Sequence, residues 1–217
     1  MLIDDYVAEL ERALVGPARV KRDLVVEARD GLCDAAEALE AGGLARAEAE
    51  RLAVEEFGPV GEIAPGFQEE LVACAGRRQA WLLFLGVPAT ALCWTLVWQV
   101  FPYPVAEWTE RPEWFVPVAR ALDILQLAAG MVAGVTILLL RRRPPQRLTR
   151  RLGIFTWTLL ACTGVLSLCL MFGSRGPAGF GGYPPGMLIS AASLAFTAAQ
   201  VVGAARCLRV TRATALS

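Results

Sequence analysis

The 217-residue chain has no histidine, a single lysine and a charged fraction of only 19%. Without histidine there is no imidazole base for a Ser-His-Asp or Cys-His nucleophile, and no imidazole metal ligand. No Gly-x-x-x-x-Gly-Lys-Ser/Thr loop is present to cradle a nucleotide. Six cysteines occur without any Cys-x-x-Cys spacing, so a zinc or thioredoxin-like site is not expected, and they read as small buried hydrophobes. Ser167, Ser190 and Ser193 have no base in view, and the carboxylates Glu107, Glu110, Glu113 and Asp123 form no clustered acid–base pair. The expectation is a protein with no catalytic residues, no metal and no cofactor. The start, Met1-Leu2-Ile3-Asp4-Asp5, is acidic, and no signal peptide is expected.

Apolar sequence is abundant. Hydrophobic residues make up 55% of the chain and mean hydropathy is +0.47. A soluble domain carries about 25% charge, and disorder demands the opposite composition. The formal net charge of zero hides a division: residues 1–79 are strongly acidic, and residues 80–217 are equally basic. Ala80–Phe101 has no charge over 22 residues, long enough as a helix for a hydrocarbon core of about 30 Å. Three further runs follow, at 117–140, 152–172 and 187–205. The fold class expected is all-α: a helical domain over 1–76, then a four-helix transmembrane bundle over 77–217.

Arginine orients the spans. Arg77 and Arg78 precede the first, Arg141, Arg142, Arg143, Arg147, Arg150 and Arg151 link the second to the third, and Arg206, Arg209 and Arg212 follow the fourth. The opposite loops carry only Arg111 and Arg175. By the positive-inside rule both termini are cytoplasmic, in a multi-pass protein of a bacterial cell membrane. Trp98, Phe101, Tyr103, Trp108, Trp114 and Phe115 suit an outer aromatic belt, with Pro102, Pro104, Pro112 and Pro117 opposing helix there. The Gly- and Pro-rich stretch 173–186 reads as the second outer loop.

Small residues predict close helix packing in lipid: Gly130 and Gly134 in the second span, and Ala191, Ala195, Ala199 and Gly203 in the fourth. Their partner is a helix of this chain or of a second copy in a homodimer. Arg120 and Asp123, three residues apart near the start of the second span, are expected to form an ion pair. Gln99, Gln126 and Gln200 are the polar residues noted within the spans, and Pro88 is expected to kink the first.

The acidic part reads as three to four helices. The first presents Ile3, Tyr6, Leu10 and Leu14, with Asp4 or Asp5 as N-cap. Gly16-Pro17 separates it from a second helix with Val20, Leu24, Ala28, Leu32, Ala35 and Leu39 on one face. After Gly42-Gly43 a third helix offers Ala45, Ala49, Leu52 and Phe57. A fourth presents Val60, Ile63, Phe67 and Leu71 and runs toward the first span, with Pro65 as an interruption. Asp23, Glu27, Asp30, Asp34 and Glu37 recur at +4, +3, +4, +3 on the second helix, a continuous acidic face with only Arg29 among it. Like charges at i, i+4 cost helix stability, so such a stripe suits a basic counterpart: a DNA-binding protein or the chain's own 141–151 loop. Direct binding to nucleic acid is disfavoured by its sign.

The order of these residues resembles the HAAS-type α-helical signalling domain, also described as the permease prefix domain of actinobacteria, over about residues 3–72. The likeness rests on Tyr6-x-x-x-Leu10-x-x-x-Leu14, on Arg22-Asp23-Leu24 with Glu27 and Leu32, on Glu48-Ala49-Glu50-Arg51, and most specifically on Phe57-Gly58-Pro59 with Glu62-Ile63-Ala64. The Asp often found between that Gly and Pro is missing, and Gly31 stands where many relatives carry His. The resemblance implies a cytoplasmic helical module joined to membrane helices, with a PadR-like transcriptional regulator or permease segments as its usual company, and no catalytic residues. The function expected is a membrane-anchored regulator whose acidic domain sequesters a basic protein. The alternative is an accessory or membrane subunit of a transporter. Membrane lipids and a second copy are the other partners expected.

Overall fold

A computed structural model describes residues 2–101, 112–140, 145–173 and 183–213. They form seven helices and, among the described residues, no strand: α1 (Ile3–Ala13), α2 (Ala18–Ala41), α3 (Arg46–Phe57), α4 (Val60–Val100), α5 (Phe115–Leu139), α6 (Pro145–Gly173) and α7 (Pro184–Ala213). Tyr103, Trp108, Pro102, Pro104, Arg111, Arg141–Arg143, Arg175 and most of the second loop lie outside the described residues.

The helices α1, α2, α3 and the first turns of α4 make a head. Ile3, Tyr6, Leu10 and Leu14 from α1 and its end, Leu24, Val25, Ala28, Leu32 and Ala36 from α2, and Ala49, Ala53 and Val54 from α3 close on Val60, Leu71 and Val72 of α4. The apolar face of α1 is the expected one; on α2 Leu24, Ala28 and Leu32 are buried as expected, Val20, Ala35 and Leu39 are half-buried, and Val25 and Ala36 join the core instead. On α3 the buried face is Ala49, Ala53 and Val54, whereas Ala45 is exposed and Leu52 half-buried. The N-cap of α1 is Leu2, with no side-chain cap bond; Asp4 and Asp5 fall in the first turn instead, where a carboxylate still meets the positive end of the helix.

No break separates head from bundle, because α4 is one helix of 41 residues. Pro65 and Pro88 lie within it without ending it. Both are on its exposed side, where the ring has room. The expected boundary at 76/77 therefore falls inside a helix.

Four helices are long and apolar enough to cross a membrane: α4, α5, α6 and α7. Their core is Ala80, Leu83 and Val87 of α4, Ala129, Ala133 and Ile137 of α5, and Leu152 and Leu159 of α6, with Phe196 of α7 packed against it. Helix α4 touches each of the other three. Large aliphatic side chains such as Leu92, Ile124, Leu127, Val165, Leu188 and Leu194 point outward. In water that surface would be a liability; in hydrocarbon it is the required one.

Two helices outrun their apolar runs. Helix α6 starts at Pro145 and takes up most of the expected arginine link, and α7 carries Arg206, Arg209 and Arg212 on its last turns. The extensions are held by packing beside the head. The Thr149 hydroxyl donates to the Val72 carbonyl at 3.2 Å, the Cys207 thiol faces the Ala75 carbonyl at 3.6 Å, and Val210 enters the head core. The arginines of three separate segments are thereby gathered at the head end of the bundle.

Candidate partner surface on the head

The five acids of α2 are all exposed. None of them belongs to an ion pair among the described residues, whose bridges are Arg29–Asp4, Arg46–Glu40, Arg46–Glu50, Arg51–Glu48 and Arg51–Glu55. Arg29, the one cation inside the stripe, turns away to Asp4 of α1 at 2.5 Å. Arg147, Arg150 and Arg151 make no bridge to the stripe either. Asp23, Glu27, Asp30 and Asp34 border a shallow groove along α2 with Arg22 at one end and Val26, 49% exposed, on its floor. The sequence reading missed Val26. It is an apolar contact point set among unpaired carboxylates.

On α3 the charges are self-paired. Arg51 bonds both Glu48 and Glu55, so the Glu48 carboxyl is held below its ordinary range by its hydrogen bond and charge contact with Arg51. The contrast with α2 is local: on α3 arginine stands three or four residues from glutamate, and on α2 acid stands there instead.

Two contacts hold α1 and its turn on the rest of the head. The Tyr6 hydroxyl donates to the Gly58 carbonyl at 2.9 Å, and its ring meets Phe57 edge-on, with centroids 5.8 Å apart. Gly58 has φ +101, a conformation that L side chains rarely adopt. The Phe57-Gly58-Pro59 segment is thus the turn that Tyr6 reads. Burial and the charge of Glu9 raise the Tyr6 pKa. The second contact is Gln68, buried on α4, which bonds the turn between α1 and α2 at both polar groups of Val15.

In the bundle the expected residues divide. Gly130 is buried, and Gly134 lies against the Phe84 ring. Ala191, Ala195 and Ala199 are exposed, which corrects the first of the two partners expected for them, a helix of this chain, whereas Gly203 lies against Gln79 of α4. The face of α7 that packs inward is instead Phe196, Gln200, Ala204, Cys207 and Val210, because the bulkier residues fill the bundle. Arg120 and Asp123 are both exposed and form no ion pair among the described residues, a second correction: at an exposed site only the long arginine can bend toward a polar phase, and the three-residue spacing does not by itself hold the short aspartate to it.

All six cysteines are free, but only Cys207 is buried, and Cys93, Cys162 and Cys169 point outward. In lipid an outward thiol costs little, so burial was the wrong expectation for those three. Ser193 serves packing: it donates to Ile189 and accepts the Trp94 indole N–H at 3.1 Å. The main polar knot was not anticipated. Gln79, 1% exposed, donates to Thr156 Oγ1 at 3.3 Å and reaches the Gln200 carbonyl at 3.5 Å, while its Oε1 has no hydrogen-bond partner among the described residues.

Comparison with known families finds one match. Residues 5–66 match the HAAS family, less than a third of the chain. No curated protein and no solved structure matches. The match begins in α1 and ends in the first turns of α4, so it covers the head and stops before the bundle. The head is thus similar to the HAAS family, and it is set on four apolar helices.

Proposed function

We propose that this chain is a membrane-anchored regulatory protein whose acidic head binds and sequesters a basic protein, a PadR-like transcriptional regulator. The observation that carries the reading is the α2 stripe: five exposed carboxylates, none of them in an ion pair among the described residues, four of which share a groove with an exposed Val26. Such a face attracts a cationic partner electrostatically and gives it an apolar contact to close upon. The HAAS match over the same helices supports protein–protein contact as the head's role. The gathering of Arg77, Arg78, Arg147–Arg151 and Arg206–Arg212 at the head end supports an inner-leaflet location, with both termini cytoplasmic. The high ratio of arginine to lysine, with abundant Ala, Gly and Pro, supports a GC-rich bacterial source such as an actinobacterium.

The test uses the full chain in lipid nanodiscs, because Val210 of α7 completes the head core. Binding of a PadR-like regulator from the same genome is measured against salt. Submicromolar binding that weakens steeply with salt, and is lost in the quadruple variant Asp23→Asn, Glu27→Gln, Asp30→Asn, Asp34→Asn, is expected. Binding that ignores both salt and these substitutions would overturn the reading.

A further inference from the structure

A groove of about 390 Å³ runs between α5 and α6 on the surface of the bundle. That volume lies within the range of about 300–1,000 Å³ typical of small-molecule sites. Met131, Val132, Val135 and Leu139 of α5 form one wall, and Phe155 of α6 stands on the other. The Thr136 hydroxyl in it is turned back to the Val132 carbonyl at 2.7 Å, so the walls offer no free donor. Arg151 is at the groove's head end, exposed and with no ion pair or hydrogen bond to a described residue. Arg147 is one helical turn nearer the head on the same side of α6, and no acidic residue occurs between 124 and 217.

We propose that this groove is a binding site for one anionic phospholipid, with an acyl chain along α5 and the phosphate on Arg151 and Arg147. The assignment does not depend on the head's partner. It rests on the combination of an apolar slot along α5 with guanidinium groups at its head end that form no ion pair among the described residues, the nearby Glu69 of α4 being bonded to Gln146 instead. A zwitterionic lipid such as phosphatidylcholine fills the slot equally well but sets a choline cation beside its phosphate, which the arginines repel, whereas a headgroup of net negative charge keeps the full gain of charge-assisted bonds in a bidentate geometry. Basic sites between transmembrane helices at the cytoplasmic side recognise anionic headgroups by this chemistry.

Native mass spectrometry of the full chain, titrated with phosphatidylglycerol or phosphatidylcholine of matched acyl length, tests it. One phosphatidylglycerol per chain is expected to bind about tenfold or more tightly than phosphatidylcholine. The double variant Arg147→Gln, Arg151→Gln should remove that preference, weakening phosphatidylglycerol far more than phosphatidylcholine. Val135→Trp, at a position already 54% exposed, should fill the slot and weaken both lipids without unfolding the bundle. Equal retention of the two lipids by the native chain, a preference that survives loss of both arginines, or displacement of phosphatidylglycerol by equimolar inorganic phosphate would each overturn the assignment.

Discussion

The side chain of Gln68 bonds both backbone groups of Val15: the Val15 N–H donates to Gln68 Oε1 at 2.9 Å, and Gln68 Nε2 donates to the Val15 carbonyl at 2.8 Å. The same Nε2 approaches the Val210 carbonyl at 3.5 Å. One buried amide of α4 therefore fastens the α1–α2 turn and touches the end of α7, 142 residues away in sequence. Through it the fold of the head is tied to the bundle.

Gln68→Leu should destabilise the head by about 1–3 kcal/mol, because two backbone groups lose their partners at a part-buried site. Gln68→Glu keeps the acceptor but buries a carboxylate against the Val15 and Val210 carbonyl oxygens, so at neutral pH it should destabilise the head at least as much as Gln68→Leu. Limited proteolysis at residues 14–17 in the full chain, read as a cleavage rate, checks the order. Equal rates for all three proteins would show that the clamp contributes nothing.

The turn at Gly58 should tolerate no side chain. Gly58→Ala places a Cβ at φ +101 and should cost about 1–3 kcal/mol, although the space itself is open, with Ile63 no nearer than 3.6 Å. Tyr6→Phe keeps the ring against Phe57 but removes the bond to the Gly58 carbonyl, a loss of about 0.5–1.5 kcal/mol. Chemical denaturation followed by intrinsic fluorescence of the full chain in nanodiscs measures both.

Alkaline pH should weaken the head through the same residue. The Tyr6 pKa is raised in the folded state, above its ordinary value of 10.0. A raised phenol contributes stability that is fully present below the unfolded pKa and is lost as pH rises through the folded one. Unfolding midpoints should therefore fall as pH climbs past 10, and Tyr6→Phe should flatten that part of the profile. An unchanged slope in the variant would assign the alkaline loss to other groups.

Gly203 and Gln79 should behave as a coupled pair. A Cβ at Gly203 would clash with Gln79 Oε1, so Gly203→Ala must push the amide out of its bonds to α6 and α7. Gln79→Ala removes the obstacle and with it the unpartnered oxygen. The double variant should be more stable than Gly203→Ala alone, with a coupling of about 0.5–3 kcal/mol in a thermal-shift cycle. Additive effects would place the two residues out of contact.

Neutralising the α2 stripe should separate stability from binding. Asp30→Asn relieves i, i+4 and i, i+3 repulsion with Asp34 and Glu27, so the head should gain about 0.2–0.5 kcal/mol. Under the proposed function the same change weakens capture of a cationic regulator. Thermal stability and binding measured on one preparation should move in opposite directions; movement together would point to a purely structural stripe.

How much of this was readable from residue order follows from the range of the forces. Apolar periodicity placed α1 and α2, the buried face of α1 and the centre of that of α2, since a helix of given phase has one apolar side; Val25 and Ala36 lie at its margin and were not singled out. The four apolar runs located the membrane-length helices, because hydrocarbon thickness sets a minimum length that composition alone reveals. The α3 face was misjudged by part of a turn: with alanine on several sides, hydrophobicity does not single out a phase, and contact with α1 and α2 selects Ala49, Ala53 and Val54. The alanine stripe on α7 misled for a related reason. Small residues permit close approach but do not compel it, and Phe196 and Cys207 fill the available space instead.

The chain's own order determined the helical content, the acidic head and basic spans, and the carboxylate stripe, all of which depend on neighbours within a turn or two. Only the tertiary structure decided that Arg29 leaves the stripe for Asp4, that Val210 finishes the head core, and that Gln68 and Gln79 are buried knots between helices. These involve partners 25 to 142 residues apart, as in Arg29 with Asp4 and Gln68 with Val210. A lone glutamine carries no sequence signal of what it will meet; its hydrogen bonds are chosen by the packing of helices whose relative rotation arises from the whole assembly.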